Sequence, residues 1–346
     1  MIESIEFTNF KALRKTGVTL APFTLLLGPN GSGKTSLLQA IGASAAAAAQ
    51  RVGRHRQEPV GFAWESALSV TATEPNPLIE IKLRFREKNQ ISFCLIRFQA
   101  GQIALGVMSG NEGALPPNEQ RSPLEWLSRM QVYSLDPVAI AQPAPVNSEM
   151  QLQPNGGGLA AVMDDLKDNQ PELWEMLLAE LCQWLPEYDN VLFDKPGSGM
   201  KAIVLRTKKG QHRIPAKDLS QGTLIALTLL TLAYLPEPPS LIGLEEIDRG
   251  LHPRLLRQLQ DALYRLSYPD STIKRPPIQV IATTHSPYLL DLYRDHPEEV
   301  VLARKEGLEV KMETLKEIKN FEEILGDAPL SEVWYSGVLG GVSVKP

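Results

Sequence analysis

Four clusters in this sequence combine residue types and spacings that can do chemistry. The most specific is LLLGPNGSGKTS, Leu25 to Ser36, an apolar run feeding a glycine-rich turn that ends in Gly-Lys-Thr. Gly28, Gly31 and Gly33 carry no side chain, so successive backbone N–H groups can surround a phosphate, and a helix beginning behind them adds favourable partial charge. Asn30, Gly31, Ser32, Gly33, Lys34, Thr35 and Ser36 are therefore the expected phosphate-contacting residues. Lys34 would reach the β- and γ-phosphates of a nucleotide, and the Thr35 hydroxyl would ligate Mg²⁺.

The second cluster is Leu219-Ser220-Gln221-Gly222-Thr223. A serine capping a helix with glycine in its first turn leaves N–H groups pointing outward, which makes an anion site; taken alone, a capped core helix would look the same. The third is Leu241 to Glu246, an apolar strand ending in two adjacent carboxylates, Glu245 and Glu246. Neighbours in a strand point to opposite faces, but at its C-terminal edge both can turn toward a nucleotide, one holding Mg²⁺ through water and one accepting a proton from the attacking water. The fourth is His285, which directly follows the apolar run Gln279 to Thr284. A lone histidine at a strand end is more often structural than functional, so its weight comes from its order after the other three.

These clusters need strands and helices to position them. Phe23 to Leu27 reads as a buried strand, Ser36 to Ala49 as an alanine-rich helix, and Leu224 to Leu235 as an apolar helix. Ile2 to Phe7 and Gly17 to Leu20 suggest a small antiparallel sheet, and Leu78 to Arg86 with Gln90 to Gln99 a hairpin turning at Glu87 to Asn89. Gly101 to Ser122, rich in glycine, proline and asparagine, reads as an exposed connection. Val132 to Leu135 reads as a short strand, Asp136-Pro137 as a turn, Leu159 to Leu185 as a helical insertion without sustained heptads, and Val191 to Phe193 and Ala202 to Thr207 as strands. The expected domains are a core carrying the phosphate-binding turn, split between 1–50 and 191–346, an antiparallel β subdomain with connections over 51–145, and a helical insertion over 146–190.

Taken in this order, the four clusters resemble the ABC-type ATPases of the AAA family, in the branch containing the SMC and RecF proteins. The likeness is greater to the ATPases related to overcoming-lysogenization-defect (OLD) nucleases, whose acidic strand typically reads EEPENGLHP where this one reads EEIDRGLHP, Glu245 to Pro253. It covers about residues 1–50 and 200–305, including the opening FTNFKAL, Phe7 to Leu13. The resemblance implies an α/β ABC-type head with a mixed central sheet, an antiparallel β subdomain and a short helical insertion, using ATP and Mg²⁺. It also implies a homodimer in which Ser220, Gln221 and Gly222 of one subunit meet the γ-phosphate held by Lys34 of the other, His285 sensing that phosphate in the subunit of Lys34. Glu246 would be the catalytic base and Glu245 would reach the metal through water.

Two positions depart from the pattern: Ile247 stands where proline is usual, and Gln221 where transport ATPases carry glycine. Neither removes a catalytic group, so activity is expected to survive. OLD nucleases also carry a metal-dependent Toprim domain, and the stretch after His285 is too short for one. A separate nuclease subunit is thus the expected partner, with DNA or another nucleic acid as a possible ligand. Two function classes follow: an ATP-hydrolysing switch driving a partner in DNA maintenance or anti-phage defence, or a non-catalytic ATP-dependent assembly module or RecF-like DNA-binding repair factor.

Composition sets outer bounds. Thirty-five basic against 40 acidic residues in 346 give a net charge of −5, which argues against coating nucleic acid by bulk charge. Arg51, Arg54, His55 and Arg56 form a local basic stretch that reads as a solvated loop or as a DNA or phosphate contact. Trp334 and Tyr335 in APLSEVWYSGVLGG read as tail packing or as a docking point. Cys94 and Cys182 have no metal-like spacing and read as thiols in a reducing compartment. The opening MIESIEFTNFK lacks an apolar core, and the longest apolar run is shorter than the roughly 20 residues a bilayer demands, so a cytoplasmic protein without membrane contact is expected.

Overall fold

The computed structural model describes residues 1–54, 63–69, 72, 77–87, 90–109, 117–146, 151–269, 275–326 and 328–337. Phe23–Leu27 is apolar at nearly every position and buried throughout, which is what a strand covered on both faces requires. It occupies an interior place in a mixed sheet whose order is Glu309–Thr314, Val300–Glu306, Phe23–Leu27, Gln279–Thr284, Leu241–Leu244 and Gln131–Tyr133. The pairings on both sides of Phe23–Leu27 are parallel, as is that between Gln279–Thr284 and Leu241–Leu244; the hairpin Val300–Glu306 with Glu309–Thr314 is antiparallel.

A second sheet is wholly antiparallel, in the order Leu13–Thr19, Ile2–Phe10, Ile79–Glu87, Gln90–Gln99 and Gln102–Ser109. The expected hairpin is present, although its turn at 88–89 lies outside the described residues. The helix Lys34–Arg51 shares one apolar core with both sheets: Leu37, Leu38 and Ile41 lie in the same cluster as Ile81, Leu83 and Ile96 of the antiparallel sheet and Leu26, Leu241 and Ile281 of the mixed one. Its run of alanines is buried on almost every side, so the helix has little polar face to show.

The segment expected as an exposed connection is different in its described part. Gln102–Ser109 pairs along its length with Gln90–Gln99, and Pro117–Ser128 is a helix; residues 110–116 lie outside the described set. The hairpin turns on Ala100 at φ 51° and Gly101 at φ 78°, the two positive φ values that a tight two-residue turn uses. Pairing with a neighbour, not local composition, makes this strand.

The contacts divide the chain into two units: residues 1–132, 239–247 and 267–346 form one, and residues 133–238 and 248–266 the other. In the second unit the expected helical insertion consists of two helices, Leu159–Asn169 and Pro171–Trp184, because Pro171 cannot donate into the first and instead starts the second. Asp136-Pro137 is a helix start: the Asp136 carboxylate accepts from the Val138 N–H at 3.0 Å and opens the short helix Pro137–Ile140. The helix Gln221–Tyr234 is buried over nearly its whole length. It is tied to Pro171–Trp184 and Leu256–Ser267 through Glu180, which accepts from Tyr234 at 2.6 Å and from Arg265 at 2.7 and 2.6 Å. In the first unit Trp334 is 7 % exposed and packed, while Tyr335 is exposed.

Candidate functional site

Three adjacent parallel strands, Leu241–Leu244, Gln279–Thr284 and Phe23–Leu27, run in register, with Leu244 opposite Ala282 and Thr284 opposite Leu27. Their C-terminal ends therefore open onto one edge, the place where open α/β sheets bind ligands. Glu245 and Glu246 leave the first strand, His285 the second, and the glycine-rich turn the third. Residues separated by hundreds of positions are brought together by this register.

In the turn, Gly31 and Gly33 have φ of 76° and 88°, values that L side chains rarely adopt. At Gly28 the constraint is space: a Cβ there would collide with the Ala303 carbonyl oxygen and the Ser32 hydroxyl. Lys34 folds back over the turn, donating from Nζ to the carbonyl oxygens of Gly28 at 2.6 Å and Pro29 at 3.0 Å. Burial pushes its pKa down to about 8 against the opposing pull of the Glu246 and Glu245 carboxylates. The Ser32 hydroxyl is buried with no protein partner, and no side chain caps the helix Lys34–Arg51 behind it. An orphaned hydroxyl, a desolvated amine and an uncapped helix start in one cradle fit a phosphate group. Asn30, Gly31 and Thr35 are exposed at its rim, and Ser36 is half-buried.

The Thr35 hydroxyl donates to Glu245 Oε1 at 2.6 Å, so the two residues expected at Mg²⁺ stand together. Among the described residues no group of three or more His, Cys, Asp or Glu side chains could hold a metal by itself. One hydroxyl and one carboxylate nevertheless suit Mg²⁺, which commonly takes few protein ligands and completes its shell with water and substrate phosphate. His285 Nε2 lies 3.8 Å from Glu246 Oε1, both half-exposed at the strand ends. Glu246 has φ 48°, and its N–H donates to the Thr283 hydroxyl at 2.8 Å.

The second unit holds Ser220, Gln221 and Gly222. Ser220 caps the helix Gln221–Tyr234, its Oγ accepting from the Thr223 N–H at 3.1 Å. A Cβ on Gly222 would collide with the Gly250 carbonyl oxygen, so only glycine lets the helix start approach the Asp248-to-Leu251 turn so closely. Sequence reasoning missed this backbone contact and the Thr283 hydroxyl; Gly250 was the available signal for the first, whereas a buried threonine in a strand gives none for the second.

Residues 1–93 match a family model described as "AAA ATPase domain", and residues 146–291 one described as "AAA domain, putative AbiEii toxin, Type IV TA system". The chain is 23% identical over 330 residues to an OLD nuclease of Thermus scotoductus, covering 85% of this chain and 60% of that protein. It is 26% identical over 332 residues to the Septu protein PtuA of Bacillus mycoides, covering 88% and 41%. It thus spans about half the length of these relatives. Among solved structures, an Smc head bound to the C-terminal winged-helix domain of ScpA matches with TM-score 0.63 at 14% identity, over 91% of this chain and 97% of that one. An Smc head from Pyrococcus yayanosii matches with TM-score 0.51 at 11% identity, over 94% and 99%. The α/β head with mixed sheets expected from the sequence is the fold of these structures. No helix among the described residues is long and apolar enough to cross a membrane.

Proposed function

We propose that this chain, with AAA-family ATPase sequence on an SMC-head fold, hydrolyses ATP and uses the nucleotide to assemble head to tail with a second copy. The observation that carries the reading is the convergence of Lys34, Thr35, Glu245, Glu246 and His285 on one edge of the mixed sheet. Lys34 exchanges its two backbone carbonyls for the terminal phosphates, and the turn's N–H groups hold the phosphate oxygens. Mg²⁺, when bound, offsets phosphate charge beside Thr35 and Glu245. Glu246 takes a proton from water; the water oxygen bonds to the γ-phosphorus as the bond to the β-phosphate oxygen breaks, releasing ADP and phosphate. His285 marks the presence of the γ-phosphate.

Ser220 and the helix start behind it have the chemistry to receive that γ-phosphate from the second copy, a charge ADP cannot offer. Relatedness to OLD nuclease and PtuA supports a role in which ATP-driven assembly controls a partner nuclease in defence or DNA maintenance. Glu246→Gln tests the core of this reading. The amide keeps the shape but cannot take the proton, so hydrolysis should fall by about 10²–10⁴-fold while ATP remains bound. Sedimentation should then show more dimer with ATP than with ADP, and adding Ser220→Arg should abolish the difference. A Glu246→Gln protein whose association ignores ATP would sink the sandwich, and unchanged turnover would remove Glu246 as the base.

A further inference from the structure

Glu246 is a non-glycine residue at φ 48°, a left-handed conformation that is costly for an L side chain and persists only where its surroundings enforce it. The enforcing group is on the neighbouring strand. Ladder pairing between Leu241–Leu244 and Gln279–Thr284 ends at Leu244 opposite Ala282. Beyond that point the chain leaves the sheet, yet two successive N–H groups are still received by one residue: the Glu246 N–H by the Thr283 hydroxyl at 2.8 Å, and the Ile247 N–H by the Thr283 carbonyl oxygen at 3.1 Å. Thr283 is 2% exposed and stands opposite Leu26 of the strand that feeds the glycine-rich turn. Two residues after it, His285 brings Nε2 to 3.8 Å from Glu246 Oε1.

We propose that Thr283 is a positioning residue for ATP hydrolysis: its hydroxyl locks the backbone turn at Glu246 and so fixes the carboxylate relative to His285. This rests on the reading of Glu246 as the base. A β-branched residue at this buried strand position fills space equally well as valine, so the hydroxyl is the part that strand packing does not require. Removing it takes away the hydroxyl that receives the Glu246 N–H and leaves the Ile247 N–H bond to the Thr283 carbonyl, which holds the chain one residue past the left-handed turn. The backbone then relaxes toward ordinary φ and the carboxylate swings, whereas Lys34 and the turn that binds phosphate keep all their own contacts.

The test compares Thr283→Val and Thr283→Ser with the natural protein, with Thr283→Ala in place of valine if that variant does not fold. In crystal structures without nucleotide, Glu246 should leave positive φ in the valine variant and keep it in the serine variant. In steady-state kinetics kcat should fall about 100-fold for valine with ATP affinity within threefold, as expected for a misplaced group, and serine should stay within threefold of the natural protein. An unchanged φ at Glu246 in the valine variant, an unchanged kcat, or a serine variant as impaired as valine would overturn the proposal. If the natural protein proves unable to hydrolyse ATP, that result counts against the ATPase reading, and the φ comparison still decides whether Thr283 holds the turn.

Discussion

Two helices among the described residues begin at the sequences read as anion sites, and they begin differently. Lys34–Arg51 starts from Gly33 in a left-handed conformation, and no side chain accepts from its first-turn N–H groups. Gln221–Tyr234 starts from Ser220, whose hydroxyl already receives the Thr223 N–H. Both helices are apolar and buried, neither has an acidic residue in its first turn, and each depends on a glycine facing a carbonyl oxygen, Gly28 against Ala303 and Gly222 against Gly250. What separates them is how much of their hydrogen-bonding capacity remains unspent. The first has no side-chain cap and an orphaned Ser32 hydroxyl beside an amine that only backbone carbonyls hold; the second has already met part of its own demand through Ser220. If the proposed function holds, the first end binds the phosphate and the second reads it.

The largest effect should separate them outright. Lys34→Ala removes the buried cation of the cradle and should weaken ATP binding by at least about 100-fold in calorimetric titration, whereas Ser220→Ala should change it less than about threefold. Equal losses would break the distinction. Stability should show the reverse asymmetry. Ser220→Ala deletes a side-chain cap and should cost about 1 kcal/mol in denaturant unfolding, because the Thr223 N–H loses its acceptor.

A further difference is a pH dependence carried by the first helix start. With its folded pKa lowered to about 8 from 10.5, Lys34 binds fewer protons folded than unfolded across that window. Its contribution opposes folding below about pH 8 and fades as pH rises toward 10.5, so stability should gain with pH there and Lys34→Met should lose that gain. A Lys34→Met protein with the same slope would show that the amine is not desolvated.

Much of the site is legible in the sequence because the parts that carry it are contiguous. The glycine spacing of Gly28 to Gly33, the serine before an apolar helix and the paired acids are each fixed by neighbours in the chain, and the strands Phe23–Leu27 and Gln279–Thr284 announce themselves by composition. Gln102–Ser109 was hidden because a half-exposed edge strand takes its order from Gln90–Gln99, and its glycine and small residues resemble a loop's. Thr283 was hidden for a related reason. Its value lies in a backbone turn at Glu246 that exists only once two strands have paired, and nothing local to either residue encodes it.

The position of Phe23–Leu27 within the mixed sheet also governs when the site can come into being. Its two partners, Gln279–Thr284 and Val300–Glu306, are far downstream: Phe23 waits for Val280 and Leu25 for Val300. At ~5–20 residues per second, a nascent chain carries that apolar strand without its neighbours for roughly 10–50 s. A nucleotide site at this edge cannot exist in a half-made copy during this interval, because the edge is assembled from both halves of the sequence. Until then the strand is an exposed template for pairing, and a nucleotide held by the finished edge would favour completed chains over those that strayed.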